Sequence, residues 1–284
     1  TRLEAFGRAL TRNLTLVRAQ GLESITTRRG SIVLIRADGD GKTRKVVIPD
    51  VEATSLFRTA EGDIDLGFSA RGEVGRWSMR LRHLTAADGA SHSLEFGARD
   101  VTVKDLFGAG DPDLKVEMPI YPHARVDYDA ADRLLGARLD LRIGAGLFRF
   151  GKEPEDEIVV GEGQVGVSWA RGKDSIAIET ASLQVGPTLI ALKGSVTPPV
   201  PGKSERWETA ISLDRGQVAP RDVSGKPVEL KAVTLVGGYE TGRQVFHVDD
   251  LQIHFAGGAA RAVGHLDFAQ PKPLVVVNVV FTTV

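Results

Sequence analysis

The stretch LQIHFAGGAARAVGHLDF, residues 251–268, decides the fold class because it has the pattern of a β-hairpin. Before the two glycines, apolar and polar side chains alternate, which puts Leu251, Ile253 and Phe255 on one face of a strand. The alternation returns after the glycines, so one face of the hairpin is apolar and the other is polar. A sheet built from such hairpins packs its apolar face against another layer and turns its polar face to water.

The glycine pair at 257–258 sets the expected register of this hairpin. Glycine readily adopts the positive φ angles that a two-residue turn needs. With these glycines as the turn, Leu251 lies opposite Gly264. The same register places Ile253 opposite Ala262, so that the apolar residues of both strands share a face.

A second hairpin is expected near residue 75. Residues 64–74 alternate between apolar and polar side chains without interruption. A two-residue turn at 75–76 then pairs Val74 with Trp77. On the polar face, four arginines are expected to form a basic stripe: Arg71, Arg76, Arg80 and Arg82. Such a stripe is typical of a solubilising surface. The alternative is that it binds lipid headgroups.

Most of the remaining chain repeats this alternation, and only residues 2–12 have the spacing of a helix. We therefore predict an all-β fold: a long, twisted, mainly antiparallel sheet that is curled into a groove, with a short N-terminal helix. Residues 1–284 are interpreted as a single β-groove segment of a longer protein, because the chain starts without a signal peptide and ends within a strand pattern. The proline-rich stretch 197–205 marks the place where a boundary between two domains would fall.

Composition excludes several classes of function. A formal net charge of −1 over 284 residues provides no electrostatic basis for binding nucleic acid or an anionic membrane surface. The absence of cysteine excludes disulfides and thiolate metal sites. No run of about 18 apolar residues exists, so the sequence predicts no membrane-spanning helix.

The apolar sheet face needs a cover. One helix of about eleven residues is roughly 16 Å long, whereas a dozen strands span roughly 55 Å, so the helix cannot cover the sheet. Three solutions stay open: a sandwich, a closed barrel, or a trough whose floor is covered by something outside the sequence; pattern alone favours the two closed forms. The residues expected to line the face are Leu66, Phe68, Met79, Leu139, Leu141, Leu183, Val185, Leu192, Leu251, Ile253, Phe255, Leu266 and Phe268.

Four segments resemble the AsmA-like superfamily of bacterial envelope proteins, especially its large YhdP-type and TamB-type members. The main one, residues 257–277, runs from the glycine turn through RAVGHLDF to PKPLVVV. Residues 23–33, 68–78 and 237–255 are also similar to strand modules of that family. The resemblance implies an inner-membrane anchor ahead of this segment, a curled sheet in the periplasm, and an apolar groove that carries phospholipids toward the outer membrane. It implies no catalytic residue.

The histidines and aspartates within residues 247–267 are the best candidates for a metal site. Alternation places them on the polar face of the predicted hairpin, where His265 is expected near Asp250 on the opposite strand. We therefore favour a solvated surface that carries an exposed ion pair, which contributes little to stability.

Other candidates for chemistry are weaker. His83, His92 and His123 stand singly and are expected at the surface. Acidic runs at 111–113 and 153–157 lack the ligand spacing of a calcium-binding EF-hand loop. We therefore predict no catalytic residue, no metal site and no cofactor.

These features together predict a non-enzymatic protein of the periplasm, held at the inner membrane through an anchor that lies outside this segment. Its expected partners are the acyl chains of phospholipids and, beyond them, other envelope proteins, but not nucleic acid. One alternative is a scaffold that assists the assembly of outer-membrane proteins by binding strands at an open sheet edge. The other is a closed β-sandwich that binds carbohydrate, which would need exposed aromatic residues clustered on one face.

Overall fold

The structure, a computed structural model, is dominated by strands, which make up 78% of it against 4% for helices. It describes residues 4, 5, 7–9, 12, 16, 20, 21, 23–37, 43–58, 63–72, 75–102, 105, 114–150, 157–200, 202, 205–219, 227–269 and 274–283. Sixteen strands, eight in each of two compact units, pair in antiparallel fashion, and the sheet is not closed. The all-β, mainly antiparallel fold with a short N-terminal helix is therefore confirmed.

The first unit is Thr1–Val159. Its strand order is β1-β2-β3-β4-β5-β8-β9, with the two-residue β6 beside β8, while β11-β10-β7 forms a small separate sheet. From β1 to β5, and again from β8 to β9, strands that follow one another in sequence are neighbours in the sheet, as in a meander. The strands are β1 (Ser24–Ala37), β2 (Thr43–Arg58), β3 (Asp63–Arg71), β4 (Arg76–Thr85), β5 (Ser91–Arg99), β6 (Val101–Thr102), β7 (Leu114–Glu117), β8 (Pro119–Asp129), β9 (Leu134–Ile143), β10 (Gly146–Phe150) and β11 (Glu157–Val160).

The second unit is Val160–Val284, and its eight strands follow one another in chain order from β12 to β19. The proline-rich stretch 197–205 connects two of them, β14 and β15, inside this unit. The strands are β12 (Glu162–Ala170), β13 (Ile176–Val185), β14 (Thr188–Thr197), β15 (Arg206–Val218), β16 (Val228–Glu240), β17 (Val245–Phe255), β18 (Gly258–Asp267) and β19 (Leu274–Thr283).

The hairpin of β17 and β18 forms where the sequence predicts it, but its register differs by two residues. Leu251 pairs with Ala262 rather than Gly264, and Ile253 pairs with Ala260 rather than Ala262. The turn is 256–257, and of its two glycine candidates only Gly257 has a positive φ, of 98°.

Gly258, the second glycine of that pair, lies outside the turn, where it allows close packing. Gly258 pairs with Phe255, and a Cβ atom at Gly258 would lie 2.8 Å from the carbonyl oxygen of Thr282 and 3.2 Å from the Phe255 ring. There is therefore no room for a side chain at Gly258. Because the register shift is an even number of residues, every side chain keeps its predicted face.

The predicted turn at 75–76 is also wrong in its register. Arg71 pairs with Arg76 and Ala70 pairs with Trp77, so the loop is 72–75; Val74, the predicted partner of Trp77, lies outside the described residues. The loop is closed by a 2.7 Å hydrogen bond from the backbone N–H of Gly72 to the carbonyl oxygen of Gly75. Gly72 is also packed too tightly for a side chain, since a Cβ atom there would lie 2.7 Å from the Trp77 ring.

The N-terminal helix lies against β8 of the first unit. Gly7 is buried, and a Cβ atom there would lie 2.9 Å from Cε1 of Tyr128. The Glu4 carboxylate accepts a hydrogen bond of 3.4 Å from the backbone N–H of Leu134. The described helical residues are Glu4, Ala5, Gly7, Arg8, Ala9, Arg12 and Leu16.

The structure contains, among its described residues, no helix with the length and apolar character needed to cross a membrane.

Candidate functional site

A continuous row of apolar residues crosses all eight strands of the second unit. Each member is the direct cross-strand partner of the next, so all of them lie on one face of the sheet. The row is Val167, Ile178, Gly194, Ile211, Leu235, Leu251, Ala262 and Val279.

Parallel rows on the same face lie above and below this one. Neighbouring rows are two residues apart along each strand, except where a bulge intervenes. One row is Gly163, Leu183, Ile190, Gly216, Leu230, Phe255 and Gly258. Another is Trp207, Tyr239, Phe246, Leu266 and Val275. We call the surface formed by these rows, together with the residues between them such as Leu192 and Ile253, the second-unit apolar face.

The opposite side of this unit is polar. A representative cross-strand row is Lys193, Ser212, Thr234, Gln252 and Arg261. Arg261 Nε lies 2.7 Å from Asp250 Oδ1, and the amide of Gln252 donates a 2.7 Å hydrogen bond to the same carboxylate. Hydrogen bonds from Gln252 and then Arg261, with the charge of Arg261, lower the pKa of Asp250.

A β-bulge keeps the two faces in phase along β17. Val248 pairs with Gly237 and Gly264, whereas Asp250 pairs with Val236, so Asp249 is the extra residue of the strand. The bulge lets Val248 and Leu251, which are three residues apart, both lie on the second-unit apolar face. The acidic pair at 249–250 is thereby kept off that face.

No large side chain of the second unit is fully buried in the part of the chain that the structure describes. The buried apolar residues of this unit are Val160, Ala191, Val248 and Ala262, and its Leu, Ile, Phe and Trp side chains are half-buried or exposed. Eight strands extend about 35 Å across the sheet. Monomeric soluble proteins rarely leave so large an apolar surface uncovered unless it binds something.

Eight of the thirteen predicted lining residues lie in or next to this face. Leu183 is 46% exposed and Phe268 is 44% exposed, while the other six are half-buried. Phe268 follows β18, and its ring centroid is 6.5 Å from that of Tyr239. The eight are Leu183, Val185, Leu192, Leu251, Ile253, Phe255, Leu266 and Phe268.

The other five predicted lining residues lie on the apolar face of the first unit. Leu66 and Leu139 belong to the row that runs through Leu81, Phe96 and Ala124. In a further row Phe68 pairs with Met79, and Leu141 pairs with Pro122. The structure therefore divides the predicted lining between the two units.

Part of the apolar face of the first unit is buried in a packed core. The first-unit core consists of Ile48, Val51, Ala70, Trp77, Ala98 and Val101, and two predicted lining residues, Phe68 and Met79, pack against it. The rings of Phe68 and Trp77 are 5.2 Å apart. These two residues therefore contribute to folding as well as to any open surface.

Asp105, which follows β6, packs against the end of β3 beside this core. Thr102 donates a 2.7 Å hydrogen bond from its hydroxyl to the Asp105 carboxylate, which also accepts one of 3.0 Å from the Thr102 backbone. A Cβ atom at Gly72 would lie 2.5 Å from Asp105 Oδ1, so Asp105 sits directly over the end of β3. The sequence offered one signal for this cover, since Thr102 and Asp105 have the spacing of a local side-chain turn.

Two histidines that were expected at the surface lie instead on the apolar side of the first-unit sheet, next to Tyr128. His83 is buried, and His92 stacks on the buried ring of Tyr128 at a centroid distance of 5.2 Å. His83 continues the apolar alternation of β4, which is the signal that places it inside. Burial raises the pKa of Tyr128, and the carboxylates of Asp132 and Glu4 raise it further.

The four arginines of the predicted basic stripe lie on the polar face, and each of them meets a carboxylate of another strand. Arg71 lies 3.7 Å from Asp50, and Arg76 lies 3.1 Å from Glu52. The remaining pairs are Arg80 with Asp65 and Arg82 with Glu95.

This pairing continues across the polar face of the first unit. Arg125 bridges Glu95 at 3.1 Å and Asp127 at 2.8 Å, and Arg138 lies 2.7 Å from Asp140. The hydrogen bond from Arg138 is the main cause that lowers the pKa of Asp140. An anionic headgroup would have to compete with these carboxylates for the arginines.

Within the described residues, no three His, Asp or Glu side chains are grouped so that they could hold a metal ion. His247 Nε2 lies 3.2 Å from Glu240, and Asp250 pairs with Arg261 instead of His265 as predicted, because the register of the hairpin differs. The acidic runs at 111–113 and 153–156 lie outside the described residues.

Comparisons of the chain with protein-family models, with curated proteins and with solved structures find no match. The resemblance to the AsmA-like superfamily therefore stays a prediction. The strongest structural indication of function is the second-unit apolar face.

Proposed function

We propose that the second-unit apolar face binds the acyl chains of lipids, and that the protein is a non-enzymatic lipid carrier of the bacterial envelope. One observation carries this proposal. The row from Val167 to Val279 is apolar across eight strands, yet the structure buries none of its Leu, Ile or Phe side chains completely. A surface of this kind gains free energy when an apolar ligand removes it from water.

The chemistry of the face matches a flexible hydrocarbon. Its central rows contain Val, Leu, Ile, Ala and Gly and no titratable group. Each buried methylene contributes about 0.8 kcal/mol, so a dozen methylenes of one acyl chain contribute roughly 10 kcal/mol before the entropic costs of binding. No directional polar contact is needed for this gain.

Three aromatic residues of the second unit are adjacent at one margin of the face, whereas Phe255 lies in the row at the other margin. Trp207, Tyr239 and Phe246 form successive members of one cross-strand row near the strand ends. A carbohydrate site would need such a platform bordered by hydrogen-bonding groups, whereas this row adjoins aliphatic residues such as Val248 and Leu266. The arrangement supports a lipid rather than a sugar.

The cellular setting of the proposal comes from the resemblance of residues 257–277. It supports a periplasmic location, in a protein anchored in the inner membrane, and a role in moving phospholipids between the inner and outer membranes. Other envelope proteins are further candidate partners. Nucleic acid is not, since the net charge is −1 and the first-unit arginines are paired.

The test uses two adjacent positions of β17 whose side chains lie on opposite faces of the sheet. Ile253 lies on the second-unit apolar face and His254 is exposed on the polar face. We measure binding of a phosphatidylcholine that carries a fluorophore in one acyl chain, together with native mass spectrometry for co-purified lipid. Ile253→Lys is expected to weaken binding at least tenfold, because the charge would be desolvated by the bound chain. His254→Lys should stay within twofold of wild type.

Two results would contradict the proposal. One is a purified protein that carries no extractable lipid and does not bind the probe. The other is an equal loss of binding in the two lysine variants, which would show that the probe does not distinguish the faces.

A further inference from the structure

The two ends of the strands in the second unit differ in chemistry. At one end, the second-unit apolar face finishes in the aromatic row of Trp207, Tyr239 and Phe246. Trp169 lies on the same face at this end of β12, and its ring N–H donates a 3.0 Å hydrogen bond to a backbone carbonyl of the following turn. The cross-strand row at the opposite end, as far as the structure describes it, has Phe255 as its one aromatic residue. Trp and Tyr favour positions where hydrocarbon meets water, because their rings are apolar and carry one polar group.

An open pocket of about 640 Å³ lies at this aromatic end of the strands. It is formed around the start of β15, the end of β16 and the turn that follows β16, and both strands have partners on either side. Its charged lining residues are Glu205, Arg206, Glu240 and Arg243. Arg206 precedes Trp207 and Glu240 follows Tyr239, so the pocket begins one residue, about 3.3 Å, beyond the aromatic row.

One of the two arginines of the pocket, Arg206, is held by carboxylates that lie outside it. Its guanidinium is 3.2 Å from Glu208 and also pairs with Asp249. The hydrogen bond with Asp249 is the main cause that raises the pKa of Arg206. Asp249 is the extra residue of the β17 bulge, so the bulge positions this partner. Arg206 is therefore a structural part of the pocket.

The other charged groups of the pocket are accessible to a ligand. The Arg243 side chain is 79% exposed, and its Nη1 is 3.7 Å from Glu240 Oε2, close to the limit of an ion pair. Glu240 Oε1 is 3.2 Å from His247 Nε2, but a carboxylate has about four acceptor positions. Glu205 is exposed just before β15. The pocket thus presents two carboxylates beside one guanidinium.

We propose that this pocket holds the headgroup of a zwitterionic phospholipid, an inference that rests on the proposed binding of acyl chains to the second-unit apolar face. The ammonium group of the headgroup lies against Glu205 and Glu240, and its phosphate lies against Arg243, so each charge meets its opposite. The rings of Trp207 and Tyr239 adjoin the glycerol, where hydrocarbon gives way to polar groups. An anionic headgroup such as that of phosphatidylglycerol has no cation to offer the two carboxylates and binds more weakly.

A headgroup in this pocket also sets the direction of the acyl chains. The hydrocarbon of one leaflet is about 15 Å thick, half of a bilayer core of about 30 Å. This length corresponds to about four or five residues of a strand. A chain that starts at Tyr239 therefore ends near Leu235, and one that starts at Phe246 ends near Leu251. The lipid occupies the aromatic half of the face and stops short of Phe255.

Competition between two lipids with identical acyl chains tests the headgroup. Phosphatidylethanolamine and phosphatidylglycerol are each used to displace the fluorescent phosphatidylcholine from the full chain. Wild-type protein is expected to prefer phosphatidylethanolamine at least about fivefold. Glu205→Gln with Glu240→Gln is expected to reduce this preference below about twofold. Glu162→Gln with Glu229→Gln removes two exposed carboxylates at the opposite end of the strands and should keep the preference.

A second arm tests the direction of the lipid. Phosphatidylethanolamine is prepared with a diazirine either next to the ester or at the end of the acyl chain, and its adducts are located by mass spectrometry. The ester-proximal diazirine is expected to label Trp207 and Tyr239. The terminal diazirine is expected to label Leu235 and Leu251.

Three outcomes would overturn this inference while leaving acyl-chain binding intact. The two lipids could compete equally with wild-type protein, or the preference could survive in the Glu205→Gln, Glu240→Gln variant. The ester-proximal diazirine could label Leu230 and Phe255, which would reverse the direction of the lipid. A chain that binds neither lipid nor the probe would instead overturn the proposed function itself.

Discussion

The two units carry the same alternating pattern, but they differ in how they use their apolar faces. In Thr1–Val159, Trp77 is 2% exposed and Tyr128 is fully buried, whereas Val160–Val284 buries no aromatic, Leu or Ile side chain among its described residues. The first unit has covering elements, with Gly7 of the helix against Tyr128 and Asp105 over Gly72. Alternation therefore determines which face is apolar, but a separate segment determines whether that face becomes a core.

Because of this difference, we expect the first-unit apolar face to contribute mainly to folding and the second-unit apolar face mainly to ligand binding. The covered part of the first-unit face stabilises the fold through buried side chains such as Trp77 and Tyr128. The face of the second unit is built from half-buried aliphatic side chains, and its strands pair through backbone ladders that bulges interrupt. Substitutions in the two units should therefore change different measured quantities.

The largest expected effect compares two tryptophans. Trp77→Ala leaves a cavity in the first-unit core and is expected to lower the free energy of unfolding of that unit by about 3–5 kcal/mol. Trp207→Ala, at a half-buried position of the second unit, is expected to cost about 1–2 kcal/mol. Urea-dependent hydrogen exchange, followed by mass spectrometry on peptides of each unit, measures both. Equal losses would remove the distinction between the units.

A second comparison places the same charge on each apolar face. Phe68→Lys puts an ammonium group against Trp77 and is expected to cost about 3 kcal/mol in the first unit. Ile253→Lys is expected to stay within about 1 kcal/mol, because the lysine stem can lie along the face with its charge in water. Thermal unfolding checks the stability of each variant. A loss at Ile253 as large as that at Phe68 would mean that the second-unit face is covered.

A smaller effect is expected where the helix covers the first unit. Gly7→Ala adds a Cβ atom that would lie 2.9 Å from the Tyr128 ring, so the helix has to shift. We expect a loss of about 1–3 kcal/mol and faster hydrogen exchange in β8. Ala9→Ser, at an exposed helical position, is the control. Unchanged exchange in β8 would show that the helix does not protect Tyr128.

The smallest effect concerns the polar face of the first unit. The pKa of Asp140 is lowered chiefly by its hydrogen bond from Arg138. Its charged form therefore favours the folded state above the ordinary aspartate pKa of about 3.9, and this contribution is lost as the pH falls through the lower folded value. Arg138→Gln is expected to raise the pKa of Asp140 toward its ordinary value in an NMR titration. Arg142→Gln, on the same strand, should change it less.

The sequence predicts the strands and their faces because alternation is a local property. Leu251, Ile253 and Phe255 share a face despite a register error of two residues, since an even shift preserves the side. The register was mispredicted because Gly258 lies outside the turn, where its missing side chain makes room for Phe255 and Thr282. The spacing of residues in the sequence does not reveal this close approach.

The covering segments and the ion pairs could not be predicted in the same way. The contact between Gly7 and Tyr128 joins residues more than a hundred positions apart, and only the folded sheet brings them together. The pairing of Arg82 with Glu95 likewise needs the correct register of β4 and β5. The burial of His83 could have been predicted from the sequence, because His83 continues the alternation of Trp77 and Met79.

The most direct test of the account is to map where a phospholipid touches the full chain. A phosphatidylcholine with a photoreactive diazirine in one acyl chain is bound, irradiated, and its adducts are located by mass spectrometry. We predict adducts at Leu192, Leu235, Leu251 and Ile253, few at Gln252 and His254 on the opposite face, and few at the buried Trp77. Adducts distributed equally over both faces of β17, or confined to the first unit, would contradict the claim that the second unit presents an open acyl-binding surface.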